Sequence, residues 1–269
     1  MKDYQVMGVL NVTPDSFSDG GQFVGIDAAM QQVDVMMADQ VDWIDVGGES
    51  TRPGAAEVTV DDEINRVIPV IKAIKNKYPE QNISIDTSKP EVMEAAIMAG
   101  VRMINDVNAL QADGAIEVAV KHDVKVCLMH KKGTPQEMQN NPEYDDVVQE
   151  VLDFFDERIE TCLSYGMDAD NIILDPGIGF GKTLDHNLQL LQHTATFKQM
   201  GFPVLIGVSR KSMFQQLLNR PVNQRLAGSL AVVQFTYLQG ADYFRVHDVA
   251  ETVDVLKTSK ALIGEALND

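Results

Sequence analysis

The feature that most constrains this chain is an alternation. Eight short apolar runs, Val6 to Asn11, Trp43 to Gly47, Ile83 to Asp86, Met103 to Asp106, Val124 to Met129, Ile172 to Asp175, Val204 to Gly207 and Tyr243 to Val246, are separated by stretches with helical spacing. The runs are nearly continuous in hydrophobicity, as expected of parallel strands covered on both faces. Between them, Ile64, Val67, Ile68, Ile71 and Ile74 mark one helix face, opened by Thr59 with Asp62 three positions on, and Pro69 is expected to kink that helix. After Asp86, Ser88 reads as a cap, Pro90 as a first-turn residue, Glu91 as the capping-box partner and Gly100 as the stop. A long helix is expected over Tyr144 to Tyr165, and a last one from Asp248 and Glu251 to about Ala266. Eight strand and helix pairs with no linker read as one α/β domain over residues 1–269, a (β/α)8 barrel with long loops after its first two strands. The alternative, a doubly wound open sheet, would carry a nucleotide fingerprint after its first strand, and none follows Asn11.

Charge narrows the partners. With 22 basic against 40 acidic residues the net charge is -18, which argues against nucleic acid or an anionic membrane surface as the main partner. An anionic substrate therefore needs a local basic cluster. Cys127 and Cys162 are the only cysteines and read as two buried thiols, which favours a reducing cytoplasm. The longest early apolar run, VMGVL, falls far short of the roughly 20 residues that span a bilayer, and no signal-peptide cleavage pattern follows it.

In a barrel of this kind the active site forms where strands finish and the following loops begin. The strand ends here are Asn11, Asp45 with GGESTR behind it, Asp86, Asn105 with Asp106, His130, Asp175, Ser209 with Arg210 and Lys211, and Arg245 with His247. Every one is polar. Asp106 and Asp248 read as helix caps. Asp86 reads as functional because Ser88 is the better-placed cap, and Asp175 because Pro176 holds it extended rather than opening a helix. Arg52, Arg210, Lys211, Arg245 and His247 are basic against an acidic background, and guanidinium groups on two different loops can grip phosphate oxygens. A phosphorylated substrate follows. The long loops VTPDSFSDGGQFVG and GESTRPGAAEV read as binding loops, with Phe17 and Phe23 able to cover a flat ring or to pack the loop down.

The stretch DPGIGFGKT, Asp175 to Thr183, imitates a Walker loop, but Pro176 stands where the first glycine is required, and proline has no N–H to give a phosphate. That leaves Lys182 without a role, and its replacement by alanine is expected to leave most activity intact.

The assembled motifs, GVLNVTPDSFSDGG, IDVGGESTRPGA, SIDTSKPEV, IND, LDPGIGFGK, GVSRKS and RVHDV, resemble the dihydropteroate synthase family, from the first strand to the last helix. The resemblance implies a transferase of folate biosynthesis, the target of sulfonamides, that joins 6-hydroxymethyl-7,8-dihydropterin pyrophosphate to p-aminobenzoate. It implies that Asp175 takes the guanidine-like edge of the pterin, with Asn105, Asp86 and Lys211 as further contacts. Arg245 and His247 would hold the pyrophosphate, with Thr51 and Arg52. Asn11 would contribute to a Mg2+ that chelates that group, since a hard cation prefers oxygen ligands. Phe17, Pro53, Phe180 and the stem of Lys211 would enclose p-aminobenzoate, with Ser209 at a helix start near its carboxylate. The reaction implied is dissociative: the pyrophosphate leaves, a pterin methylene cation forms, and the amine attacks without an enzyme nucleophile. The resemblance implies Asp86, Arg245, His247 and Lys211 as the catalytic group and a homodimer as the assembly.

Departures from the family pattern are Val107-Asn108 after IND, Lys131 in HKKG, and a largely missing hairpin before the first strand, which touches closure of the barrel floor. A folate methyl-transfer domain would share the barrel and the Asp and Asn contacts, but it has no use for Asn11 with Mg2+ or for a phosphate grip. A pterin-binding module without activity is the other alternative, against which the complete motifs stand.

Overall fold

The computed structural model describes residues 3–12, 21–50, 58–133 and 142–264. Its strands are β1 (Gln5–Asn11), β2 (Trp43–Gly47), β3 (Asn82–Asp86), β4 (Met103–Asp106), β5 (Lys125–Met129), β6 (Ile172–Asp175), β7 (Leu205–Ile206) and β8 (Tyr243–Val246). All pair in parallel in the order β6-β5-β4-β3-β2-β1-β8-β7, and a bridge between Leu174 and Val204 brings the two edges together. The barrel expected from the alternation is therefore present. Two strands are shorter than their apolar runs: β5 starts one residue later, at Lys125, and β7 is only Leu205–Ile206, the bridging Val204 lying outside the strand proper.

Helices cover the outside: α1 (Gly21–Ala38), α2 (Val60–Lys77), α3 (Pro90–Met98), α4 (Ala115–His122), α5 (Val147–Ser164), α6 (Leu184–Gln192), α7 (Thr194–Lys198), α8 (Met213–Leu218), α9 (Leu226–Tyr237) and α10 (Val249–Leu262). Thr59 caps α2 by accepting from the Asp62 N–H, as its sequence indicates, and the helix runs on through Pro69. Strands are covered by apolar stripes such as Val67, Val70, Ile71 and Ile74 on α2, each such buried side chain contributing about 1.5–3 kcal/mol. Three capping assignments change, that of Asp248 among them. The residue before α3 is Lys89, not Ser88, and no side chain caps that helix. Its first N–H is absent because Pro90 opens it, so a cap is less needed. Asp106 caps the turn that follows β4, its two oxygens accepting from the N–H groups of Asn108 and Leu110 at 2.8 Å each, while α4 starts only at Ala115.

The barrel interior has two tiers. Met7, Trp43, Met103, Cys127, Ile173, Leu205 and Tyr243 form a buried apolar cluster separate from the strand-helix core. Side chains two residues apart on a strand share a face, so Asp45, Asn105, Asp175 and Arg245 stand one tier above Trp43, Met103, Ile173 and Tyr243. At the floor, Trp43 donates Nε1–H to Gln5 at 3.2 Å, Tyr4 is 4% exposed against the edge of Tyr237, and Asp3 takes Tyr237 and Lys260 at 2.6 Å each.

Candidate active site

The parallel register sets the site's upper rim. Asn11 pairs with Gly47, Gly47 with Asp86, and Asp86 with Asn105, so one level of the barrel mouth crosses four strands. Gly47 carries no side chain into it; a Cβ there would lie 3.7 Å from Asn11 Oδ1 and 3.7 Å from Asp86 Oδ2.

Below this rim, the carboxylate of Asp45 is fully buried and fully used. Its Oδ1 accepts from Ser84 Oγ at 2.6 Å, and its Oδ2 from Asn105 Nδ2 at 3.1 Å and Arg245 Nε at 2.6 Å. Arg245 reaches on to Asp86, Nη2 to Oδ2 at 2.7 Å. A guanidinium held between two carboxylates stays charged, and burial pushes the Asp86 carboxyl up to about 7, with Arg245 pulling it back and Asp45 adding to the rise. Asp45 was readable only as a strand end, with no role assigned. The signal was a charge inside an apolar run at even spacing from Trp43, where a side chain must face the barrel.

On the opposite wall, Asp175 accepts the Gly177 N–H on Oδ1 at 2.7 Å. Burial raises its carboxyl, and Lys211 is the strongest opposing charge. Lys211 donates Nζ to the Ile178 carbonyl and lies 4.6 Å from the centre of the Phe180 ring, while burial lowers its ammonium to about 8. The loop DPGIGFGK thus presents Asp175, Phe180 and the Lys211 contact together. Its glycines serve backbone approach to the loop after β5 rather than phosphate binding: a Cβ on Gly177 would fall 1.8 Å from the His130 carbonyl oxygen, and one on Gly181 2.2 Å from that of Lys132. Thr183, the last residue of the Walker-like stretch, caps α6 in a reciprocal box with His186.

Near the end of β8, His247 donates its backbone N–H to Ser209 Oγ at 3.1 Å, with its Nδ1 3.1 Å from the same oxygen. Ser209 is not at a helix start, because α8 opens at Met213 after Ser212; its hydroxyl instead orients His247. Arg210 forms a two-pronged pair with Asp248, and the Asp248 side chain makes no cap bond to α10, contrary to its reading as a helix cap. Phe17, Thr51, Arg52 and Pro53 lie outside the described residues, as does the side chain of Phe23.

The cluster offers a buried anionic wall, the Lys211 ammonium in desolvated surroundings and one flat aromatic face. That combination suits a flat, hydrogen-bonding heterocycle with a charged group beside it. Among the described residues no group of three or more His, Cys, Asp or Glu is arranged to hold a metal ion. The amide oxygen of Asn11 at this rim is a hard donor of the kind that suits Mg2+.

Residues 7–247 match the family model described as pterin binding enzyme. A dihydropteroate synthase of Haemophilus influenzae is 50% identical over 257 residues, which cover 96% of this chain and 93% of the relative. The solved Yersinia pestis dihydropteroate synthase, in complex with a sulfonamide drug, superposes with a TM-score of 0.91 at 47% identity, covering 97% of this chain and 94% of the other. A Xanthomonas albilineans dihydropteroate synthase in complex with 7,8-dihydropteroate gives 0.88 at 42% identity, with 98% and 95% covered.

Proposed function

The chain belongs to the pterin-binding enzyme family, among its dihydropteroate synthases, and on that premise we propose how its residues divide the reaction. The reaction condenses 6-hydroxymethyl-7,8-dihydropterin pyrophosphate with p-aminobenzoate to give 7,8-dihydropteroate and pyrophosphate, a transfer in folate biosynthesis. The observation that carries the division of labour is the polar tier of Asp45, Asn105, Asp175 and Arg245 directly above an apolar floor.

Asp175 takes the guanidine-like edge of the pterin. Its Gly177 bond leaves the second carboxylate oxygen for the substrate's N–H groups. Asn105, oriented by Asp45, and Lys211 line the same slot. Asp86 faces the methylene where positive charge develops as pyrophosphate leaves, and stabilises it as a carboxylate already aimed there. Arg245 and His247 hold the departing pyrophosphate with Thr51 and Arg52. Phe180 and the stem of Lys211 offer p-aminobenzoate an apolar wall, with Phe17 and Pro53 opposite and Ser209 below. Mg2+ when bound at Asn11 would neutralise charge on the leaving group.

We further propose a homodimer. Leu217 and Leu218 on α8, Phe235 on the adjoining α9 and Leu238 just after it are exposed apolar side chains, a face suited to a second copy. Cytoplasmic residence fits two buried free thiols, and no helix among the described residues is long and apolar enough to cross a membrane.

The deciding experiment measures pyrophosphate release by the purified protein. Release is expected only with the pterin substrate, p-aminobenzoate and Mg2+ all present; no release under those conditions would overturn the reading.

A further inference from the structure

Lys182 closes the loop after β6, and it is 3% exposed. Its Nζ lies 3.0 Å from His130 Nδ1, 3.1 Å from the Phe180 carbonyl oxygen and 3.3 Å from the His130 carbonyl oxygen. An ammonium carries three N–H donors and no acceptor. Its three neighbours are three acceptors, provided that the imidazole of His130 is neutral with its proton on Nε2. Burial secures the first condition by holding His130 down at about 3, and the ammonium's own charge adds to that effect.

The latch reaches Asp175 through backbone. His130 N–H donates to the Asp175 carbonyl at 3.0 Å, and Gly177 N–H donates to Asp175 Oδ1 at 2.7 Å. Gly177 itself is seated on the latch: its α-carbon face points at Lys182 Nζ, 3.4 Å from the position of a Cβ, and at the His130 carbonyl. Lys182 is also attracted by the Asp175 charge, which partly offsets the burial that brings its ammonium to about 7. Thus a single buried cation ties the loops after β5 and β6 together beneath the carboxylate that the reaction needs in one orientation.

We infer that Lys182, held by the Nδ1 acceptor of His130, is a positioning residue that fixes Asp175 toward the pterin. The inference rests on the assignment of Asp175 as the pterin carboxylate. It replaces the expectation, drawn from the failed Walker pattern, that Lys182 is dispensable.

Steady-state kinetics of Lys182→Met, His130→Asn, His130→Leu and Asp175→Asn test it, each variant checked for an intact thermal transition. Asparagine can set an amide oxygen where His130 Nδ1 stands, whereas leucine keeps only bulk. Lys182→Met and His130→Leu are expected to raise KM for the pterin pyrophosphate about tenfold while moving KM for p-aminobenzoate less than about twofold, and His130→Asn to stay within about threefold of the parent. His130 packs edge to face on Phe154 at 5.0 Å, so a merely structural role predicts the reverse order, leucine tolerated and asparagine damaging. That order, or a Lys182→Met enzyme with unchanged pterin KM, overturns the inference. Should Lys182→Met fail to fold, the two His130 variants still decide. Asp175→Asn separates the layers: if it leaves the pterin KM unmoved, the carboxylate assignment falls and the inference with it; if it raises KM while the other variants do not, the inference alone falls.

Discussion

Arg245 on β8 bonds Asp86 on β3 at 2.7 Å, spanning β1 and β2, and its Nε holds Asp45 at 2.6 Å on the way. One guanidinium therefore sets two carboxylates of different function, Asp86 at the rim and Asp45 beneath it. The planar fork makes this geometry possible, and an ammonium cannot reproduce it. Arg245→Lys should lower kcat/KM by about 10²- to 10³-fold, the loss typical of one preorganised electrostatic group. Arg245→Gln should also cost about 3–5 kcal/mol of stability, because it strips the buried Asp45 of its counter-charge. Kinetics and chemical denaturation of the two variants check this. A Lys variant within threefold of the parent would count against the bridge.

The pH profile follows from the same wall. Asp86 acts as a carboxylate, and burial places its titration at about 7, so protonation below that value removes the active form. Lys211 acts as a cation, and burial lowers it to about 8, so deprotonation above that value removes it. The logarithm of kcat/KM should rise toward about pH 7 and fall above it, as Lys182, lowered to about 7, and then Lys211 lose their protons, and form a narrow bell. Asp86→Asn should erase the acid limb of whatever activity remains. A flat profile between pH 6 and 9 would contradict both assignments.

How much of this was legible beforehand depended on whether a residue's task was local. Strand runs such as Trp43 to Gly47 and Ile172 to Asp175 carried their own signature, because both faces are covered and their hydrophobicity is continuous. The positions of Asp175 and Asp86 at the barrel mouth were legible because each ends a strand. Asp45 was seen but given no task, since its partners Ser84, Asn105 and Arg245 lie on three other strands and only barrel closure brings them together. The surroundings of Lys182 were hidden for a similar reason: its neighbour His130 is 52 residues away. Arg210 and Asp248 were each given a solitary task, and their pairing with one another was invisible to local rules.

A second buried ion cluster bears on stability. Lys89 Nζ lies 2.6 Å from Glu63 Oε2 and 2.5 Å from Glu49 Oε2, and Glu63 is fully buried. Glu49 in turn accepts the Val58 N–H at 2.8 Å, joining the two described ends of the second loop. Lys89→Met strands the Glu63 charge in the core and should cost about 3–5 kcal/mol. Pairing it with Glu63→Gln should recover part of that loss, the signature of a coupled pair in a double-mutant cycle. Denaturation midpoints of the four proteins measure it, and simple additivity would show that the ion pair is not the cause.

Backbone contact between the two loops makes the last test a matter of one methyl group. Gly177 has φ of +67°, and a Cβ there would fall 1.8 Å from the His130 carbonyl oxygen. Gly114 has φ of +85° with nothing within 4 Å of the same position. Alanine at Gly114 meets only the left-handed backbone penalty, about 1–2 kcal/mol. At Gly177 the same penalty is joined by a steric conflict with backbone that no rotamer relieves, adding about 1–3 kcal/mol. The conflict also displaces the N–H that holds Asp175 Oδ1. Gly177→Ala should therefore lose more stability than Gly114→Ala and, unlike it, raise KM for the pterin pyrophosphate. Equal stability losses with unchanged kinetics in both variants would mean that the loop after β6 does not seat Asp175 through its contact with the loop after β5.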